Sequence, residues 1–183
     1  AGAAGGVFIA GNNAQTSVST ALVANITGNL SGSVGSVTGV IGGVANRKLA
    51  PLGRKIGPDP ASIDAAMIGG IAANNSSGMC CGTAQNSYRT LAGLRVMLAD
   101  GALLDTEDPL SVDAFSRSHA VLLGELERLG RDTRDNARLA ERIRHKFKIK
   151  NTTGYSLNAL VDYEDPIDIL THLMIGSEGT LGF

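Results

Sequence analysis

Charge is missing from the first 46 residues: no Asp, Glu, Lys or Arg occurs before Arg47. Tryptophan is absent altogether and aromatics make up 4 % of the chain, which argues against the stacking platforms used by single-strand nucleic-acid binders. Cysteine occurs twice, as the neighbours Cys80 and Cys81, and adjacent thiols neither staple distant segments nor complete a zinc site. No apolar run approaches the roughly 18 residues of a membrane helix, and no basic-then-apolar signal peptide opens the chain. With a net charge of −1 there is no excess of one sign, so neither a nucleic acid nor an anionic membrane is expected as a non-specific partner. A reducing cytoplasm is the expected setting.

What is present divides into two compositions. Residues 1–45 are built mainly from Gly, Ala, Ser, Thr, Asn and Val, punctuated by Gly28, Gly32, Gly35 and Gly39 between Ile26, Leu30, Val34 and Val37. A flexible linker and a weak β-repeat are both compatible with that pattern. Too few apolar side chains occur there for a core, and the segment is expected to be unrelated to the rest of the chain. It loosely resembles the repetitive strands of phage tail-fibre proteins, which keeps a structural or interaction role, with this segment mediating assembly, as the alternative reading of the whole chain. Charges begin abruptly at Asn46-Arg-Lys48, where the domain boundary is placed, with 46–183 as one partial domain.

Within 46–183, Gly57-Pro-Asp-Pro60 is a rigid extended turn, since each proline sets its own φ and restrains the residue before it. Ser62 is placed to cap a helix running to Ala73, in which Gly69 and Gly70 cost about 1 kcal/mol each against alanine. A close packing or ligand contact would account for that cost. Leu94 to Ala99 alternates, with Leu94, Val96 and Leu98 on one face, and Asp100-Gly101 turns the chain back into Ala102 to Thr106: a β-hairpin. Ser111 to Leu129 has helical spacing, and a second helix from Asp135 to Phe147 carries Leu139, Ile143 and Phe147, with Gly130 in an exposed bend between the two. The polar residues Arg138, Arg142, Arg144, His145 and Lys146, with Lys148 and Lys150 beyond, read as a solvated face, a phosphate or partner site being the alternative. Asn151 to Ser156 is a loop, and Asp165-Pro166 opens a third helix with Ile167, Leu170, Leu173 and Met174 as its buried stripe.

The chemistry-bearing stretches are Ile68-Gly-Gly-Ile-Ala-Ala-Asn-Asn-Ser-Ser-Gly78 and Gly176-Ser-Glu-Gly-Thr-Leu-Gly182. Glycine allows close backbone approach and positive φ, and consecutive free amides beside such turns form anion sites. We read the two as opposite banks of a cofactor groove. Gly176-Ser-Glu-Gly179 is not a nucleophile elbow, because its second glycine falls one place early. No Gly-Lys-Ser/Thr phosphate loop exists. His119, His145 and His172 are scattered without metal-ligand spacing and read as packed or surface histidines. For any single glycine, plain turn geometry stays an open reading.

Five motifs in order carry a family resemblance: Pro58-Asp-Pro-Ala-Ser62, Ile68 to Gly78, the strand ending Leu98-Ala-Asp-Gly101, Thr153-Gly-Tyr155, and Gly176 to Gly182. They resemble the FAD-binding PCMH-type domain of the vanillyl-alcohol-oxidase superfamily, FAD-linked oxidase type. Within it the likeness is to bacterial D-lactate and D-2-hydroxyglutarate dehydrogenases, in the long form fused to an iron–sulfur domain. Cys80-Cys-Gly-Thr-Ala-Gln-Asn-Ser-Tyr88 and the helical insert before Asn151 point to that form.

The resemblance implies an α+β fold: the second half of such a domain, with antiparallel strands flanked by helices, behind a Gly/Ser/Thr-rich N-terminal segment. It implies FAD as cofactor and a small 2-hydroxy acid as substrate of the complete enzyme, which would be cytoplasmic or attached to the membrane periphery. Pro58, Asp59 and Pro60 would line the cofactor; Gly69, Gly70, Ala73, Asn74, Ser77 and Gly78, with Gly82, would wrap the dinucleotide; Glu178, Leu181 and Gly182 would close the groove. The family's other glycine-rich pyrophosphate loop has no counterpart in residues 1–46. Its substrate-binding cap, which carries the metal and the proton-abstracting groups, has none in this chain. Hence no catalytic residue and no metal ligand is assigned, and the chain is expected to be incomplete as an enzyme.

Overall fold

The computed structural model describes residues 41–79, 81–150 and 154–183. The expectations for the uncharged N-terminal segment, for Cys80 and for Thr153 lie outside the described residues, apart from the segment's last five residues. Among the described residues the chain forms helix α1 (Gly42–Leu49) with a 3-10 turn at Ala50–Leu52, then short helices α2 (Ile68–Ala73) and α3 (Ser87–Thr90). The hairpin β1 (Arg95–Met97) and β2 (Leu103–Asp105) comes next. Helices α4 (Pro109–Ser118), α5 (Ala120–Asp135), α6 (Ala137–Lys146), α7 (Ala159–Asp162) and α8 (Pro166–Leu173) complete it. This is the α+β arrangement expected, helices around a small antiparallel sheet. Helix α1 runs across Asn46, and Asn46 Oδ1 accepts from the Ile56 amide at 2.9 Å.

The hairpin register is Arg95↔Asp105, Val96↔Leu104 and Met97↔Leu103, with Asp100-Gly101 in the turn and Gly101 at φ 87°. The alternation read from the sequence decides which face is buried. Val96 and Leu104 enter a core with Phe115, Leu123, Leu170 and Met174, and Leu94 and Leu98 pack beside them. A second cluster joins Tyr88, Ala159 and Ile175, and a third joins Ala140, Ile143 and Val161.

Three elements differ from the sequence-based expectation. Ser62 does not cap a helix: Ala65 and Ala66 donate to its backbone carbonyl in a turn, and α2 starts only at Ile68, after Met67 has paired with Ile41. The helix expected from Ser111 to Leu129 breaks at His119, whose φ of −117° leaves the helical region. There the ring stacks on Phe115 at 4.2 Å between centroids, and Nε2 lies 2.9 Å from an Asp100 oxygen. Gly130 is not in a bend. It is buried within α5, and a Cβ there would lie 2.9 Å from Arg134 and 3.0 Å from Ile169. The inter-helix bend falls at Asn136, whose side chain caps α6 by accepting from the Leu139 amide.

Candidate functional site

Helix α2 is short because Asn75 ends it. Asn75 sits at φ 49°, the Ser76 amide donates to the Ile71 carbonyl, and the Asn75 amide donates to the Ala72 carbonyl, both at 2.9 Å. That is the Schellman pattern, with asparagine in the left-handed position that glycine usually takes. Carbonyls at this helix end also accept from far along the chain. The Gly176 amide donates to Ala72 O at 3.2 Å and the Glu178 amide to Ala73 O at 2.9 Å. Asn74 Nδ2 also donates to Glu178 Oε1 at 2.5 Å. The two glycine-rich stretches thus lie side by side, with the C-terminal end of α2 as their seam.

The second stretch is shaped by α8. Asp165 caps that helix by accepting from the Ile167 amide at 2.7 Å and the Asp168 amide at 3.3 Å, with Pro166 at its first position. The chain then leaves through Ile175 and Gly176, the latter at φ 85°. Ser177 to Thr180 is a tight turn whose central residues, Glu178 and Gly179, have φ of 54° and 77°, the signs of a type I′ turn. Glutamate rarely occupies such a position. Its amide bond to Ala73 and its carboxylate bond to Asn74 hold it there. Tyr155 joins the same wall, its hydroxyl 2.9 Å from Thr180 Oγ1, so the described part of the Thr153-Gly-Tyr155 motif gathers with the others.

The candidate glycines separate by what surrounds them. At Gly69, Gly70 and Gly82 nothing lies within 4 Å of where a Cβ would be, so their backbone faces open space. At Gly78, with φ 65°, a Cβ would stand 1.8 Å from the Asp59 carbonyl; at Gly182 it would stand 2.6 Å from Val96. Those two are packing glycines. Gly78 locks the Pro58–Pro60 turn against the first stretch, where the Asp59 amide also reaches the Ser77 carbonyl at 3.5 Å, and Gly182 lets the chain run flat along β1. Pro58 and Pro60 are buried, as is Ser77 at 2 % exposure, whereas Asn74 and Glu178 are exposed and Ala73 and Leu181 half-buried. An apolar cavity of about 530 Å³ lies under α2 between Ile68, Ile71, Ala72 and Leu91; of the candidate residues only Pro58 borders it.

Sequence reasoning missed Lys150, which it had assigned to a solvated face. Its Nζ donates to the Gly78 carbonyl at 2.9 Å and brings a cation to the wall of the first stretch. The only available signal was its place at the end of the basic run, four residues before Gly154. The remaining basic residues of α6, Arg138, Arg142, Arg144, His145 and Lys146, are exposed. Among the described residues no group of three or more His, Cys, Asp or Glu could hold a metal, and no helix is long and apolar enough to cross a membrane.

Residues 31–107 match the model of the FAD binding domain family, to which that stretch is similar. Among curated proteins it is similar to a D-2-hydroxyglutarate dehydrogenase of Haemophilus influenzae, 27 % identical over 147 residues. That similarity covers 75 % of this chain and 14 % of the relative, so the chain spans a small part of that protein's length. No solved structure matches.

Proposed function

We propose that the chain supplies part of the FAD site of a flavin-dependent dehydrogenase oxidising a D-2-hydroxy acid, D-lactate or D-2-hydroxyglutarate, to the 2-oxo acid. The observation that supports this reading best is the seam between Ala72–Asn74 and Gly176–Glu178, which joins stretches about a hundred residues apart into one wall. FAD fits the residues present: the open backbone of Gly69, Gly70 and Gly82 would admit the dinucleotide at close range. The amides of Ile68, Gly69 and Gly70 precede the first intrahelical bond, from Ile71 to Met67, so the helix itself leaves them unused.

In this reading Asn74, tied to Glu178 and Ser76, and the buried Ser77 hold the groove's edge in shape, and Lys150 offsets phosphate charge. Pro58 to Pro60 and Gly78 keep the first stretch rigid. Glu178, Leu181 and Gly182 close the second bank, with Glu178 placed to accept from hydroxyl or N–H groups rather than to meet phosphate. When bound, the flavin supplies a two-electron acceptor; this chain's residues hold and orient it.

The test uses a complete protein that contains this segment. Gly70→Val should lose bound flavin, read from absorbance after gel filtration, with little change in apo-protein Tm, because the new side chain enters space that only a ligand would occupy. Gly124→Val, on an exposed turn of α5 where a Cβ also meets nothing within 4 Å, should keep full flavin. Equal flavin content in both variants would overturn the groove assignment.

A further inference from the structure

Asn158 opens α7, and its side chain is 6 % exposed and only half satisfied. Nδ2 donates to Asp162 Oδ2 at 3.1 Å. That contact fixes which end of the amide is which, because an oxygen facing a carboxylate would be repelled. Asn158 Oδ1 is buried and accepts from no protein group. Leaving a buried acceptor unpaired is costly, so the position calls for a donor.

A cavity of about 20 Å³ is bordered by Asn158 together with Thr83, Asn86, Arg89, Ser156 and Phe147. Asp162, which holds the Nδ2 end, is not among the described residues that border it, so the end turned to the cavity is Oδ1. That volume holds one water-sized molecule and nothing larger. Its walls decide the chemistry. An anion cannot satisfy Oδ1, which needs a donor. A cation would meet the Arg89 guanidinium, and the one carboxylate nearby, Asp162, already has Arg89 at 4.0 Å and the Tyr88 hydroxyl at 2.9 Å. What remains is a neutral donor of a single heavy atom. Ser156 spends its hydrogen on the Ile175 carbonyl at 2.6 Å, which leaves its oxygen able to accept. Asn86 Oδ1 takes the Arg89 amide at 2.9 Å, which leaves its side-chain N–H groups to donate. The lining therefore answers both the hydrogens and the lone pairs of a water, which needs two to four polar partners.

We propose that one water molecule is a permanent part of this wall, donating to Asn158 Oδ1 and bridging the start of α7 to the segment from Thr83 to Arg89. Its place is behind the seam of the two glycine-rich stretches. Ser156 holds Ile175, the residue before Gly176, whose amide bonds to Ala72. Asn75, which ends α2, borders the same cavity. The bridge thus ties α7 and α3 to the point where the stretches meet. It rests on this geometry alone and not on the identity of the cofactor.

The test is a crystal structure of the full 183-residue chain at about 1.5 Å resolution, with oxygen-17 relaxation dispersion, which counts long-lived waters, on that chain and on Asn158→Leu. Density for a water should lie within about 3.2 Å of Asn158 Oδ1. The dispersion amplitude should fall by one water in the variant. A dry cavity, or Oδ1 bonded to a protein donor, would overturn the proposal whether or not the variant folds. So would an equal amplitude in a variant whose Leu104 amide stays protected from hydrogen exchange. Anomalous signal at the position from a rubidium-soaked crystal would overturn it in favour of a monovalent cation.

Discussion

His172 is buried to 8 % exposure and its imidazole is fully engaged. Nδ1 lies 2.8 Å from the Asp168 carbonyl, which can only accept, so the proton is on Nδ1; Nε2 then accepts from the Tyr163 hydroxyl at 2.9 Å. The ring stacks on Tyr163 at 4.0 Å and meets Tyr88 edge-on at 5.0 Å. Burial pushes its pKa below the ordinary 6.5, partly opposed by the Asp168 carbonyl and by the charges of Asp168 and Asp162, while Arg89 adds to the lowering. With the folded value depressed, the unfolded chain takes up the proton first. Stability is therefore retained above about pH 6.5 and declines as pH falls through that value toward the folded one. Tm measured from about pH 8 to about pH 5 should fall, and His172→Gln should flatten the slope. A wild-type Tm independent of pH across that range would contradict the assigned burial. Asp100 acts in a lower window. The Ala102 amide and His119 hold its carboxyl below 3.8, so its contribution is lost only as pH falls beneath that value. Burial and the neighbouring Asp162 carboxylate raise the Tyr88 phenol, which stays protonated throughout both windows.

At the scale of elements, the caps separate sequence cues that act from those that do not. Asp165 caps α8 through two amides, and α8 delivers the chain to Gly176 and Glu178. Asp165→Ala should cost about 1 kcal/mol in urea unfolding. Ser62→Ala should cost nothing measurable, because Ser62 engages its neighbours through its backbone carbonyl. Equal losses in the two variants would return Ser62 to the capping role expected from sequence. The helix break at His119 has a comparable origin. Local periodicity favours one continuous helix from Ser111, but the Phe115 stack and the Asp100 contact draw the His119 ring toward the hairpin turn. Neither contact is visible to a local pattern.

At the scale of the molecule, Leu104 has no exposed surface and ties the sheet to α4, α5 and α8. Leu104→Ala should destabilise by about 2–5 kcal/mol in denaturant unfolding. Flavin affinity belongs to this scale too. A pocket built from convergent groups loses affinity when part of its lining is missing. On the sequence-based expectation that residues 1–46 lack the family's other pyrophosphate loop, the isolated chain should bind FAD weakly or not at all by fluorescence titration. A stoichiometric yellow protein after gel filtration would show that the N-terminal segment supplies what that loop supplies elsewhere. The sequence by itself determined the hairpin, the Asp165-Pro166 start of α8 and the two glycine-rich stretches, because turn chemistry, capping and period-two alternation act over a few residues. Tertiary structure decided that Gly70 faces open space while Gly78 and Gly182 are filled by Asp59 and Val96, that Lys150 reaches Gly78, and that Asn74 meets Glu178. Those facts depend on which backbone lies opposite, and segments about a hundred residues apart meet only once the helices between them have packed.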